Sequence, residues 1–102
     1  YQAEYSAIVA DRPQAEDEER VNLVGKYCES GDILIKSCPL PKTEPGDVVA
    51  LLSTGAYGYS MASNYNRNPR PAVVFAEDGV DQLVIKRESY DDLIANDLKY
   101  QK

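Results

Sequence analysis

The chain has 102 residues, enough for one domain with one modest core, and its hydrophobic fraction of 43% argues against wholesale disorder. The net charge of −6 argues against nucleic-acid binding, which needs clustered Lys and Arg. No apolar run approaches the ~20 residues of a membrane span. The absence of His excludes His-based zinc sites, Ser-His-Asp triads and His general bases. We therefore expect no metal, nucleic-acid or membrane partner.

Six short runs rich in Val, Ile, Leu and Tyr predict strands, because turn residues bound most of them. Asp78-Gly79 lies between the last two runs and predicts a hairpin, since Gly accepts a positive φ at little cost. Segments 39–41 and 45–47 contain Pro and predict turns. The acidic segment 11–20 predicts a solvated loop, with a regulatory role for its charge as the alternative. The predicted strands are residues 4–10, 21–25, 33–36, 47–53, 71–77 and 82–87.

Two short helices are expected, near residues 56–64 and 89–98. Ser89 and Asp92 have the spacing of a capping box, which marks the start of the second helix. We expect that helix to pack on the sheet through an apolar stripe. These elements predict a single, mainly β domain over residues 1–102, built as a barrel or sandwich. The apolar stripe of the second helix consists of Tyr90, Leu93, Ile94 and Leu98.

The two cysteines, Cys28 and Cys38, are ten positions apart. A disulfide between them is one interpretation, but small secreted scaffolds usually carry four or more Cys in a shorter chain. Two Cys without His cannot form an ordinary structural zinc site. We expect two reduced thiols, at least one of them buried.

Two segments carry residue types suited to chemistry. The first, Cys28-Glu29-Ser30-Gly31-Asp32, places a thiol beside a carboxylate on a predicted tight turn, and a purely structural turn is the alternative. The second, residues 55–66, combines two Gly with three Tyr. Such a loop can hold a phosphate with backbone N–H groups and phenols, or it can be a close-packed turn.

Taken together, these segments resemble the C-terminal domain of the diaminopimelate decarboxylases, which are fold-type III pyridoxal-phosphate enzymes. The Cys28-Glu29-Ser30-Gly31-Asp32 motif is the distinguishing piece, because ornithine-type relatives carry Cys-Asp in the corresponding place. The resemblance extends almost from end to end. It includes residues 1–5, 25–32, 45–47, 55–66, 70–72 and 87–93.

The resemblance implies a Greek-key-like C-terminal β domain that completes the active site of a larger protein. An N-terminal (β/α)8 barrel would carry pyridoxal 5′-phosphate on a Schiff-base lysine that lies outside this chain. The implied protein is a cytoplasmic homodimer with active sites at the subunit interface. Its reaction would be decarboxylation of meso-diaminopimelate to L-lysine and carbon dioxide, the last step of lysine biosynthesis. Because the chain begins with Tyr1 rather than Met, we expect it to be part of a longer polypeptide.

The resemblance also implies residue roles. Cys28 is the expected catalytic proton donor, delivered from the partner subunit, and Glu29 is expected to bind the distal ammonium of the substrate. Tyr57 would contact both the cofactor phosphate and a substrate carboxylate, and Tyr1 matches a substrate-contacting tyrosine. Cys38 has no motif support and is expected to be structural.

Two alternatives remain open at this point. The chain could instead be the C-terminal domain of a related decarboxylase acting on carboxynorspermidine or ornithine, although Glu29 rather than Asp argues against ornithine. It could also be a non-catalytic β domain used for binding or assembly. In every case we expect the 102-residue chain alone to be inactive as a decarboxylase, because no lysine in it matches the cofactor lysine motif.

Overall fold

A computed structural model describes residues 4–101 and shows a mainly β fold, as predicted. In that part of the chain there are six strands, one for each predicted run, and the helical segments are short. The strands are β1 (Ala7–Val9), β2 (Glu19–Val24), β3 (Ile33–Leu40), β4 (Val49–Leu51), β5 (Val73–Glu77) and β6 (Val80–Ile85). The helical segments are α1 (Gly55–Gly58), a 3₁₀ turn (Tyr65–Arg67) and α2 (Tyr90–Leu93).

The chain divides into two compact units, Tyr1–Thr54 and Gly55–Lys102. In the first unit, β1 pairs with β4 and β2 pairs with β3, both in antiparallel register. In the second unit, β5 pairs with β6, also antiparallel. The closure of these pairs into a Greek-key-like barrel or sandwich, and the assignment of residues 1–102 to one domain, stay predictions.

The first unit is held together by a small apolar core. Val9, Cys38 and Leu40 are almost fully buried, and residues from β1, β2 and β3 pack around them. Burying a side chain such as Leu40 contributes about 1.5–3 kcal/mol relative to leaving it in water. The core therefore ties β1 to the β2–β3 pair. The partly buried residues packed against it are Ala7, Val21, Leu23 and Ile35.

The predicted turn at residues 39–41 is wrong for its first two residues. Pro39 and Leu40 belong to β3, where they stand opposite Arg20 and Glu19. Burial of Leu40 in the core overrides the local turn preference of the two prolines. Among the described strands β3 pairs with β2 alone, and an edge strand of this kind tolerates a residue without an N–H.

Two other predicted turns are confirmed. The backbone N–H of Asp47 donates to the carbonyl of Glu44 at 3.0 Å, with Pro45 and Gly46 between them. Gly46 has φ +98°, as the third position of a type II turn requires. Asp78 and Gly79 both have positive φ, which is the conformation of a type I′ hairpin turn between β5 and β6. Segment 11–20 is a loop up to residue 18, after which β2 begins.

The predicted C-terminal helix begins as expected and ends early. The hydroxyl of Ser89 accepts from the Asp92 N–H at 3.1 Å, and the Asp92 carboxylate accepts from the Ser89 N–H at 2.8 Å. These bonds form the predicted capping box. The Ser89 N–H, with a smaller contribution from the Ser89 side chain, holds the pKa of the Asp92 carboxyl below its usual value. The helix ends at Leu93, however, and Tyr90 and Leu98 are 79% and 93% exposed.

The prediction of a helix reaching residue 98 and packed on the sheet is therefore wrong. A helix this short gains most of its stability from burying an apolar face, and its predicted stripe is mostly exposed. Asn96 and Asp97 also have low helix propensity. Within residues 4–101, no helix has the length and apolar content needed to cross a bilayer.

Candidate functional site

The Cys28-Glu29-Ser30-Gly31-Asp32 segment forms the connection between β2 and β3. The Gly25 N–H donates to the carbonyl of Asp32 at 2.9 Å, which closes the base of the connection. Inside it, the Asp32 N–H donates to the carbonyl of Glu29 at 3.0 Å. The predicted tight turn is thus confirmed, and we call residues 25–32 the Cys28 turn.

The side chain of Asp32 stabilises this turn from within. Its Oδ2 atom accepts from the backbone N–H of Tyr27 at 3.3 Å. The same carboxylate lies directly against the Cα of Gly25, so that a Cβ at position 25 would collide with it. A side chain at position 25 is therefore accommodated only if the Asp32 carboxylate moves away from the Tyr27 N–H, although the φ of Gly25 is not positive.

Replacing Gly25 by Ala is expected to lower the free energy of unfolding by about 0.5–1.5 kcal/mol, the usual net contribution of a hydrogen bond, because the Asp32 carboxylate must leave the Tyr27 N–H. The measurement is denaturation in urea of the chain and its variant. Gly58→Ala is the matched control, because no atom lies within 4 Å of a Cβ built at that glycine. Equal stability of the Gly25→Ala variant and the parent would contradict the assigned packing.

The two cysteines are both free and have opposite environments. Cys28 is exposed, whereas Cys38 is buried in the core with its thiol 3.7 Å from the carbonyl of Pro39. This confirms the expectation of two unpaired thiols with at least one buried. Cys28 also has φ +55°, an uncommon value for a non-glycine residue and one that concentrates at functional sites. Of the two thiols, only that of Cys28 is accessible to a ligand.

Glu29 follows Cys28 on the same turn and is also exposed. Its Oε1 atom accepts from the Gly31 N–H at 3.2 Å, which directs the carboxylate toward its own turn. The structure thus brings the predicted thiol and the predicted carboxylate together on one exposed segment of the first unit. This arrangement offers a proton carrier and a cation-binding group side by side.

Tyr57 and Tyr1 are the other two predicted site residues. Tyr57 belongs to α1 in the second unit, and its side chain is 69% exposed. Its carbonyl accepts from the Met61 N–H at 3.0 Å, so the helical turn continues past the end of α1. Tyr1 lies outside the described residues. The helix expected near residues 56–64 is present only in its first part, as α1 (Gly55–Gly58) and a turn to residue 61, and residues 62–64 are not helical.

A polar cluster in the second unit had no signal in the sequence. Glu88 accepts from Asn64 Nδ2 at 2.7 Å and from the backbone N–H of Arg70 at 2.6 Å, both through Oε1. Its Oε2 atom lies 3.3 Å from Arg70 Nη1. The N–H of Arg70 and the amide of Asn64 hold the pKa of Glu88 below its usual value, with the Arg70 charge adding to them. We call these three residues the Glu88 clamp.

Each of the two units presents one donor of a type that pyridoxal-phosphate chemistry uses. The Tyr57 phenol can donate to a phosphate oxygen, and the Cys28 thiol can carry a proton. Within this chain taken alone, every lysine between residues 4 and 101 is exposed. Over the same range, no cluster of three or more metal-ligating side chains exists. The exposed lysines are Lys26, Lys36, Lys42, Lys86 and Lys99.

Comparison with known proteins assigns the chain to one family. The family described as "Pyridoxal-dependent decarboxylase, C-terminal sheet domain" matches residues 1–55. That match covers more than half of the sequence, and the chain belongs to this family.

Within the family, the chain is similar to diaminopimelate decarboxylases. The Bacillus subtilis enzyme is 52% identical over 101 residues, which are 99% of this chain and 23% of the relative. The Halalkalibacterium halodurans enzyme is 53% identical over 102 residues, 100% of this chain and 23% of the relative. The crystal structure of the M. jannaschii enzyme in co-complex with L-lysine matches 98% of this chain and 23% of that one, with 40% identity and a TM-score of 0.86.

These similarities confirm the resemblance drawn from the Cys28 turn and residues 55–66. The chain spans only 23% of the length of the curated relatives named above. The match therefore covers only part of each of those longer relatives.

Proposed function

We propose that this chain is the C-terminal sheet domain of an enzyme that decarboxylates meso-diaminopimelate to L-lysine and carbon dioxide. The observation that carries the proposal is the Cys28 turn, where an exposed thiol and an exposed carboxylate occupy adjacent positions. Identity of about 50% to diaminopimelate decarboxylases over nearly the whole chain supports it.

Cys28 serves as the proton donor in this proposal. Pyridoxal phosphate, bound mainly by the rest of the protein, supplies the electron sink that makes loss of carbon dioxide feasible. The carbon that loses carbon dioxide then needs a proton in place of the lost group. The S–H bond of Cys28 breaks as a C–H bond forms at that carbon, and the thiolate regains its proton from water. The exposure of Cys28 suits both transfers.

Glu29 and Tyr57 bind the charged groups of the ligands. The Glu29 carboxylate forms charge-assisted hydrogen bonds to the distal ammonium, which selects a substrate that carries this group. The Tyr57 phenol donates to the cofactor phosphate and to a substrate carboxylate. Tyr1 is proposed as a further substrate contact on the strength of its motif alone.

The larger assembly is also part of the proposal. The relatives are about four times as long as this chain. In this proposal the remaining length is an N-terminal barrel domain that carries the Schiff-base lysine, as the resemblance implies. The intact protein is proposed to be a cytoplasmic homodimer in which the partner subunit delivers Cys28. The lack of a cofactor-lysine motif among the lysines of this chain agrees with a cofactor lysine placed in that barrel.

The intact protein, supplied with pyridoxal phosphate, is expected to release carbon dioxide from meso-diaminopimelate faster than from ornithine or carboxynorspermidine. The 102-residue chain alone is expected to show no activity and to retain no cofactor absorbance after dialysis. The measurements are carbon dioxide release across the substrate panel and the absorbance spectrum of each dialysed sample. Preference for another diamine would favour the related decarboxylases, and an intact protein without cofactor absorbance would favour a binding or assembly domain. Stoichiometric cofactor retained by the chain alone would contradict the placement of the lysine.

A further inference from the structure

The Glu88 clamp is connected to Tyr57 through a short series of hydrogen bonds. The Met61 N–H donates to the Tyr57 carbonyl at 3.0 Å. The next residue, Ala62, accepts at its carbonyl from Arg70 Nε at 3.2 Å. The guanidinium of Arg70 is fixed in turn by Glu88. The ion pair therefore holds the end of the helical turn on which Tyr57 lies.

Asn64 and the backbone reinforce this connection. The Asn64 side-chain oxygen accepts from Arg70 Nη1 at 3.0 Å, while its amide nitrogen donates to Glu88. The Glu88 N–H donates to the Arg70 carbonyl at 3.2 Å. The side chains of Arg70 and Glu88 are only 33% and 21% exposed, so water screens their interaction less than it screens a surface pair. The clamp thus joins residues 62–70 to the segment after β6.

The loop enclosed by the clamp has an uncommon backbone conformation. Asn66 and Arg67 are consecutive non-glycine residues with φ of +56° and +60°. Conformations of this kind cost free energy and persist where the surrounding structure over-determines them. Asn64 and Arg70 stand on either side of the pair, so the clamp supplies that constraint. A strained, tightly bonded loop is suited to holding a neighbouring side chain in one place.

We propose that Arg70 and Glu88 are positioning residues for Tyr57. By fixing the Ala62 carbonyl they hold the turn after α1, and so direct the Tyr57 phenol toward the oxyanion that it binds. This inference rests on the proposed function, because that function supplies the role of Tyr57. Neither Arg70 nor Glu88 contacts the substrate in this mechanism, and their effect passes through the phenol.

The test in the intact enzyme combines Glu88→Gln with Tyr57→Phe. Glu88→Gln is expected to lower kcat/KM by about 10- to 100-fold, the scale of a displaced positioning group. Most of this loss should come from a higher KM. The variant should also lose pyridoxal phosphate on dialysis. In the Tyr57→Phe background the same change should cost no more than about twofold, since residues that act through one another are not additive. An equal loss in both backgrounds would overturn the proposal.

Asp97→Asn is the matched control. Asp97 lies 3.5 Å from Arg67 Nη2 in the same unit, so this variant also removes one carboxylate from an Arg pair. That pair is exposed and has no bond to Ala62, and its loss should change kcat/KM by less than about twofold. A loss in kcat/KM as large as that of Glu88→Gln would show that removing any carboxylate from an Arg pair in this unit disturbs the structure. That result would overturn the proposal.

Hydrogen exchange separates failure of this inference from failure of the proposed function. In the intact protein without substrate, Glu88→Gln should accelerate exchange of the Met61 and Ala62 amides and leave the β2–β3 pair unchanged. If the parent does not decarboxylate meso-diaminopimelate, the proposed function fails, and faster exchange at Met61 still supports the clamp. Unchanged exchange of the Met61 amide overturns the inference that the Glu88 clamp holds this turn. If Glu88→Gln does not fold, Asn64→Ala removes a single partner of Glu88 and is judged by the same two measurements.

Discussion

Replacing Cys28 by Ala in the intact enzyme is expected to slow turnover by about 10²–10⁴-fold, the usual contribution of a positioned acid. The variant loses the proton that replaces carbon dioxide, while the carboxylate of Glu29 and the turn bonds between backbone groups remain. Because the turn bonds involve Gly25, Glu29, Gly31 and Asp32 rather than the thiol, the effect should fall on kcat. The measurement is carbon dioxide release at saturating meso-diaminopimelate.

Cys38→Ala is the control for this substitution. Cys38 is 2% exposed in the core of the first unit, so its truncation should lower thermal stability and leave turnover nearly unchanged. The two variants therefore separate a catalytic thiol from a packing thiol within one chain. Decarboxylation that survives loss of Cys28, or depends more on Cys38, would show that the roles are wrongly assigned.

Replacing Glu29 by Gln is expected to weaken transition-state binding of meso-diaminopimelate by about 1.5–3 kcal/mol, the scale of a hydrogen bond to a charged group. Gln retains a side-chain oxygen that can accept from the Gly31 N–H, so the turn should keep its conformation. The loss then reports the missing charge rather than a changed turn. The measurement is kcat/KM for the meso and LL isomers with parent and variant.

The isomer preference is the sharper part of that experiment. The parent should favour the meso form, because Glu29 binds an ammonium at a centre of defined configuration, and the Gln variant should discriminate less. Glu29→Asp, which withdraws the carboxylate by one methylene, should also reduce activity. Equal use of both isomers by the parent, or an unchanged preference in the Gln variant, would remove Glu29 as the partner of the distal ammonium.

Local signals predicted the parts of the fold that depend on neighbouring residues. Asp78-Gly79 specified a hairpin because both residues accept positive φ, and the Ser89 and Asp92 pair specified a helix start through two reciprocal hydrogen bonds. Leu40 was misplaced because its burial comes from packing against β1 and β2, which a Pro-rich segment does not reveal. The length of α2 was misjudged because an apolar stripe does not indicate whether a surface covers it.

The candidate functional residues also differ in how far a local sequence signal reveals them. Cys28 and Glu29 are adjacent in the chain, so a motif sufficed to find both. The Glu88 clamp joins Glu88 to Arg70 and Asn64 at separations of 18 and 24 positions. Side-chain hydrogen bonds across such distances leave no periodic pattern in a single sequence. Only the three-dimensional structure brings those residues together.

The contact between Asp32 and Gly25 has a consequence for protein engineering. The pentapeptide from Cys28 to Asp32 contains the thiol and the Glu29 carboxylate, but the Asp32 carboxylate occupies the space that a Cβ at position 25 would enter. Transplanting the pentapeptide alone onto another hairpin would place Asp32 against a side chain. The smallest portable unit is therefore residues 25–32, with the glycine carried along as an inseparable part.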